Sequence, residues 1–111
     1  MIEIVVKDFL EKKLSVPVFM EEPEAIPQRY IIIEKVGGGE SIGMKSATIA
    51  IQSYGTSLAD SAMLNEEVKE ALREIDDQNP VSSAELNSDY NFTDTETHRY
   101  RYQAVYDFIY Y

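Results

Sequence analysis

The run from His98 to Tyr111 constrains the fold more than any other part of the chain. Tyr100, Tyr102, Ala104, Tyr106, Phe108 and Tyr110 recur at every second position, with Arg99, Arg101, Gln103 and Asp107 between them. Successive side chains of a β-strand point to opposite faces, so this period gathers the aromatic rings on one face and the polar groups on the other. A strand with one apolar face needs a second layer to cover it.

Two segments can supply that layer. In residues 2–14, Ile2, Val5, Val6, Phe9, Leu10 and Leu14 recur at spacings of three and four and form one helical stripe. Pro17 stops any continuation. In residues 57–75, Leu64, Val68, Ala71, Leu72 and Ile75 form a second stripe, which Ala59, Ala62 and Met63 extend towards the start. Thr56 or Ser57 can cap this helix.

The remaining apolar runs are extended. Val16 to Met20 is short. Residues 29–36 carry Ile31, Ile32 and Ile33 in succession, which suits a strand covered on both faces. Gly37-Gly38-Gly39 is expected to break the chain into a long hairpin tip, roughly Val36 to Lys45. Residues 46–54 resume with Ala47, Ile49 and Ile51 on one face and Thr48, Ala50, Gln52 and Tyr54 on the other. In residues 83–92, Ala84, Leu86, Ser88, Tyr90 and Phe92 alternate with Glu85, Asn87, Asp89 and Asn91. The expected fold is α+β, in the order α-β-β-β-α-β-β. An antiparallel sheet of four or five strands carries two helices on one face, in a single domain over residues 1–111.

Composition bounds the function. The 111 residues hold no cysteine, which excludes disulfides, thiolate chemistry and sulfur-bound zinc. Twenty acidic residues against ten basic ones give a formal charge of −10, which repels phosphate backbones and argues against nucleic-acid binding. Glu3, Lys7 and Asp8 interrupt the first segment, so it does not read as a signal peptide. No apolar run approaches the roughly 20 residues that span a bilayer. The expected location is the cytoplasm, without a membrane partner.

The candidate chemistry is sparse. Gly38 to Gly43, with Lys45 and Ser46, nearly spells a phosphate-binding loop. Met44, however, separates the glycine from the lysine, and the residues from Ser46 to Tyr54 have a strand's period rather than a helix start. Asp94, Glu96 and His98 stand two apart and would share a face of an early-starting strand, where they could ligate a divalent metal. His98 is the only histidine, so no catalytic zinc triad can be completed. There is no nucleophile-elbow motif. The expectation is a protein that is not an enzyme and has no cofactor. Its partner contacts are expected at the hairpin tip, Gly37, Gly38, Gly39 and Glu40, because loops carry function more often than core strands. Tyr110 and Tyr111 lie at a terminus, where a core has least room, and are expected to meet a neighbour.

The string from Tyr30 through Gly37-Gly38-Gly39 to Glu40, the strand Ala47 to Tyr54, the helix from Ser57 to Leu72 and the run His98 to Val105 together resemble the tail terminator, or tail-completion, proteins of siphophages and prophages. The resemblance covers nearly the whole chain and rests on pattern. It implies a ring, commonly a hexamer, that caps the finished tail tube and joins the head connector. The location it implies is the host cytoplasm during assembly and then the virion tail. DNA passes through such a ring without specific binding. No catalytic or cofactor residue comes with the resemblance. Other head–tail joining or minor tail proteins fit the same pattern, and a small metal- or ligand-binding domain using Asp94, Glu96 and His98 is the reading from a different class.

Overall fold

In the computed structural model, which describes residues 1–111, the chain runs α1 (Ile2–Lys13), β1 (Val18–Phe19), β2 (Tyr30–Ser41), β3 (Met44–Tyr54), α2 (Leu58–Leu72), a short 3-10 turn (Ile75–Asp77), β4 (Val81–Asn91) and β5 (Arg101–Tyr110). The five strands form one sheet in the order β1-β2-β3-β5-β4. The α+β class, the element order and the two helices on one face are as the sequence patterns indicate. The sheet is mixed rather than antiparallel throughout: β1 lies parallel to β2, with Val18 opposite Ile31 and Phe19 opposite Ile32. The loop over residues 20–29 carries the chain back so that β2 runs beside β1 in the same direction.

The core lies between the helices and one sheet face. Ile2, Val6, Phe9 and Leu10 of α1 and Leu64, Val68, Ala71 and Leu72 of α2 pack on Ile31, Ile33, Ile49, Ile51, Ala104, Tyr106 and Phe108. Removing that apolar surface from water is the main driving force for the two layers to meet. Strand β5 lies between β3 and β4, and its alternation is the one the sequence shows: Ala104, Tyr106 and Phe108 face the helices.

Helix α2 departs from its expected face in its first turns. Ala59 and Met63 do not join the core, and the buried positions are Ser61 and Asn65. Each polar side chain has a partner: Ser61 Oγ donates to the Leu58 carbonyl at 2.8 Å, and Asn65 Nδ2 donates to Asp89 Oδ1 at 2.7 Å. The start is capped reciprocally. Ser57 Oγ accepts the Asp60 amide at 3.0 Å, and Asp60 Oδ2 accepts the Thr56 amide at 2.9 Å. Gly55 precedes this cap because a Cβ there would come within 2.5 Å of the Ser61 nitrogen.

Three register shifts re-aim the strands, one of them just after Val81 at the start of β4. A bulge between Lys35 and Gly37 shifts the β2–β3 register, and another between Leu86 and Ser88 shifts β4 on β5. Leu86 therefore lies opposite Tyr106 on the helix side, whereas Tyr90 lies opposite Gln103 on the far side and Asp89 turns to α2. The expected single face from Ala84 to Phe92 is thus divided at Asn87. No helix is long and apolar enough to cross a membrane.

Candidate interaction surface

The face of the sheet away from the helices has two unlike ends. At the end where β1 pairs, Tyr30 and Tyr54 stack at 4.4 Å between ring centroids, with Phe19 edge-on to Tyr30. The Arg99 guanidinium lies 5.0 Å from the Tyr54 ring centre, and Arg101 lies 4.4 Å from that of Phe92. Arg99 donates to Glu22 at 2.6 Å and also to the Tyr30 hydroxyl. Arg101 donates to the Phe92 carbonyl at 2.6 Å and to the Tyr54 hydroxyl at 2.9 Å. The chain of bonds continues from Tyr54 to Gln52, from Gln52 to Gln103 and from Gln103 to Tyr90. Burial raises the Tyr30 hydroxyl above its ordinary range, partly offset by Arg99, so it stays protonated. Both cations here are committed to the protein's own groups. The cavity beside them, about 200 Å³, is lined by Ile26, Pro27, Tyr30, Tyr54, His98 and Arg99.

The opposite end carries the residues singled out in the sequence. Gly37, Gly38 and Gly39 do not form a loop. They lie within β2, opposite Thr48, Ala47 and Ser46, and Glu40 lies opposite Lys45. The tip is only Ile42-Gly43, with φ of 52° and 77°. Two positive φ values suit a two-residue turn that matches the twist of its strands. The expected break at the glycines fails because glycine weakens a strand, through entropy and the missing side chain, but keeps its ladder hydrogen bonds. Lys45 in turn lies opposite Tyr110, and Tyr110 lies opposite Val81. The glycines, Glu40 and Tyr110 therefore share one end of the sheet, with β3 between β2 and β5. Tyr110 is half-buried against the core, and Tyr111 is exposed but tied by its amide to the Pro80 carbonyl at 3.1 Å.

One prominent residue of this end lies within the expected tip, Val36 to Lys45, without being singled out by the sequence. Ile42 is 99% exposed. Its positive φ is an uncommon conformation for a β-branched residue. Ile42, Met44 and Ile109 line an apolar hollow of about 480 Å³ with Glu40 and Lys45 at its margin. The signal that could have located the turn is the pair Ile42-Gly43 set between two extended runs.

Asp94, Glu96 and His98 do not converge into a metal-holding group. Asp94 Oδ1 instead accepts the amides of Glu96 at 2.9 Å and Thr97 at 3.4 Å, which holds its carboxyl below the usual range. The near-match to a phosphate loop occupies two strands and their turn, with no helix start behind it. A groove of about 350 Å³ between α2 and β4 is lined by Lys69, Leu72, Arg73, Leu86 and Tyr106. Its cations pair with Glu66 and Asp89 and with Glu70. Neither a protein-family model nor a curated protein matches the chain.

Proposed function

We propose that the protein is a structural subunit of a phage tail, whose copies form a ring that caps the completed tube and joins it to the head connector. The observation that carries this reading is the resemblance in the order of elements, helix, glycine-bearing hairpin, helix and hairpin, which the folded chain displays from end to end. The projecting arm at one end of the sheet supports it. Gly37, Gly38, Gly39 and Glu40 lie on that arm, near the exposed Ile42, and Tyr110 and Tyr111 close the same end of the sheet. A ring repeats one heterologous contact by rotation, and an end rich in unsatisfied groups provides one side of such a contact. Six copies is the number the resemblance implies. The formal charge of −10 suits a bore through which DNA slides, because like charge prevents adhesion.

The test is genetic and visual. A stop codon in this gene within its source genome, followed by electron microscopy of induced lysates, is expected to give tails of irregular length and heads that remain unjoined. Supplying the intact gene is expected to restore joined virions. Normal virions from the mutant, or no tails from the unmodified genome, would sink the reading.

A further inference from the structure

The outer side of β2 is an unfinished edge. Strand β1 pairs only with Ile31 and Ile32, so β2 has no neighbour on that side from Ile33 to Ser41. The two-residue turn makes Ser41 and Met44 a hydrogen-bonded pair, so alternation aims the N–H and C=O groups of Gly38 and Glu40 away from β3. Neither residue forms a backbone bond outside the ladder. Natural edges are usually blunted by proline, charge, bulges or covering loops. Strand β4, at the other edge, has register shifts after both Val81 and Leu86. On β2, the segment from Gly37 to Ser41 lies beyond the bulge at Val36 and has none of its own.

The glycines themselves are not required by the monomer. Gly37 and Gly39 lack positive φ, and a Cβ on either meets nothing closer than 3.4 Å. At Gly38 the nearest obstacle is the end of the flexible Lys35 side chain, with the Ser46 carbonyl at 3.1 Å. Glycine in a strand without a local reason marks close approach of another backbone.

Charge says which backbone. Over residues 34–46, Glu34 and Glu40 balance Lys35 and Lys45, so the arm carries no net charge in a chain of −10. A second copy can approach there with least repulsion. None of these four charges has an ion-pair partner, although Lys7, Lys13, Arg29, Lys69, Arg73 and Arg99 do. Lys35 and Glu40 also lie on either side of the glycines, so an antiparallel pair of arms centred on Gly38, with the extra bulge residue Val36 left unpaired as it is against β3, sets Lys35 of each copy towards Glu40 of the other.

We infer that two copies of the chain pair antiparallel through this edge of β2, making an isologous dimer in solution. The pairing satisfies Gly38 and Glu40 of both copies, forms two Lys35–Glu40 contacts and brings each exposed Ile42 alongside the partner's strand. It does not depend on the ring reading; a ring that used the same arm would have to exchange this contact for a head-to-tail one.

Light scattering on the full chain over a concentration series tests this pairing. The expected species has twice the 12.7 kDa mass of one chain. Lys35→Glu or Glu40→Lys alone is expected to raise the dissociation constant roughly tenfold or more, because two attractive contacts become repulsive. The double swap, Lys35→Glu with Glu40→Lys, is expected to restore the dimer. Circular dichroism checks that each variant stays folded, as exposed positions allow. Hydrogen exchange at Gly38 and Glu40 is expected to slow as concentration rises. A chain that remains monomeric, a species larger than two copies, exchange independent of concentration, or a double swap as weak as the singles overturns the inference. A dimer from a gene whose loss leaves virions normal removes the ring reading alone, and a monomer from a gene needed for joining removes the dimer alone.

Discussion

The two ends of the sheet's open face differ in how completely their polar groups are used. At the Tyr30–Tyr54 end, both arginines have carboxylate, hydroxyl or carbonyl partners, and the hydrogen-bond chain runs through Gln52 and Gln103 to Tyr90. At the arm, four charges have no ion-pair partner and a row of backbone groups has no neighbouring strand. A closed network fixes one conformation and leaves little for a ligand to gain. An open one leaves interaction free energy for a partner. The cation- and aromatic-rich end, which attracts attention as a site, is therefore part of the scaffold. The polar residues that remain available lie at the glycine-rich end.

Substitutions should therefore separate stability at one end from association at the other. The largest effect is expected from Tyr54→Ala. Its ring is 4% exposed, stacks on Tyr30, carries two arginines near its face and accepts from Arg101. Truncating a buried aromatic costs about 3–5 kcal/mol, to be read from urea unfolding. A loss below about 1 kcal/mol, the scale of an ordinary surface change, would mean that this network is ornamental and that the two ends do not differ in the way proposed.

Next comes the α2 cap beside the same end. Asp60→Ala removes the acceptor for Thr56 and the ion pair with Arg29 at 3.0 Å, at a cost of about 1–2 kcal/mol. The Thr56 amide, opposed by partial burial and aided by Arg29, holds the Asp60 carboxyl below its ordinary value of 3.8. A depressed folded value contributes stability that is fully present above that ordinary value and is lost as pH falls through the folded one. As pH falls from neutral to the acid side of 3.8, the wild type should lose more stability than Asp60→Asn. Parallel pH curves would remove the cap's carboxylate as a source of stability.

The difference between the ends was only partly legible in the sequence. The core face of β5 and the stripe of α1 could be read because periods of two and 3.6 map directly onto Ala104, Tyr106 and Phe108 and onto Ile2, Val6, Phe9 and Leu10. The bulges after Lys35 and Leu86 could not, because an inserted residue changes the face of everything beyond it without changing the local pattern. Buried Ser61 and Asn65 misdirected the start of α2, since their partners Leu58 and Asp89 are supplied by the turn before and by a distant strand. Of the candidate contact residues, the glycines stood out by composition alone. Their place inside a strand, on an uncovered edge, depends on where β1 stops pairing, which is a tertiary fact. Ile42 fell inside the expected tip but did not stand out, because an isoleucine at positive φ runs against local preference, and such conflicts tend to mark function.

A smaller effect of opposite sign is expected at the tip. Ile42→Asn places at φ of 52° a residue that tolerates it and removes an exposed apolar side chain. The monomer should gain about 1 kcal/mol from relieved backbone strain, measured as a shift in the urea midpoint. If the variant is instead destabilised, Ile42 has a packing role within the monomer and that end is partly closed.

The smallest effect makes the sharpest distinction. Gly37→Ala and Gly39→Ala each add a methyl where nothing lies closer than 3.4 Å, at positions without positive φ. Replacing glycine at such a site restricts the unfolded chain more than it disturbs the folded one. Each change is therefore expected to stabilise the monomer by about 0.4–1 kcal/mol. Thermal unfolding at low protein concentration measures this apart from any association. If both variants are stabilised, folding gives no reason for glycine at these positions, and the cause lies in what approaches the edge. If both are destabilised by a similar amount, the glycines serve the bulged geometry of β2, and the contrast between a closed end and an open one rests on the unpaired charges alone.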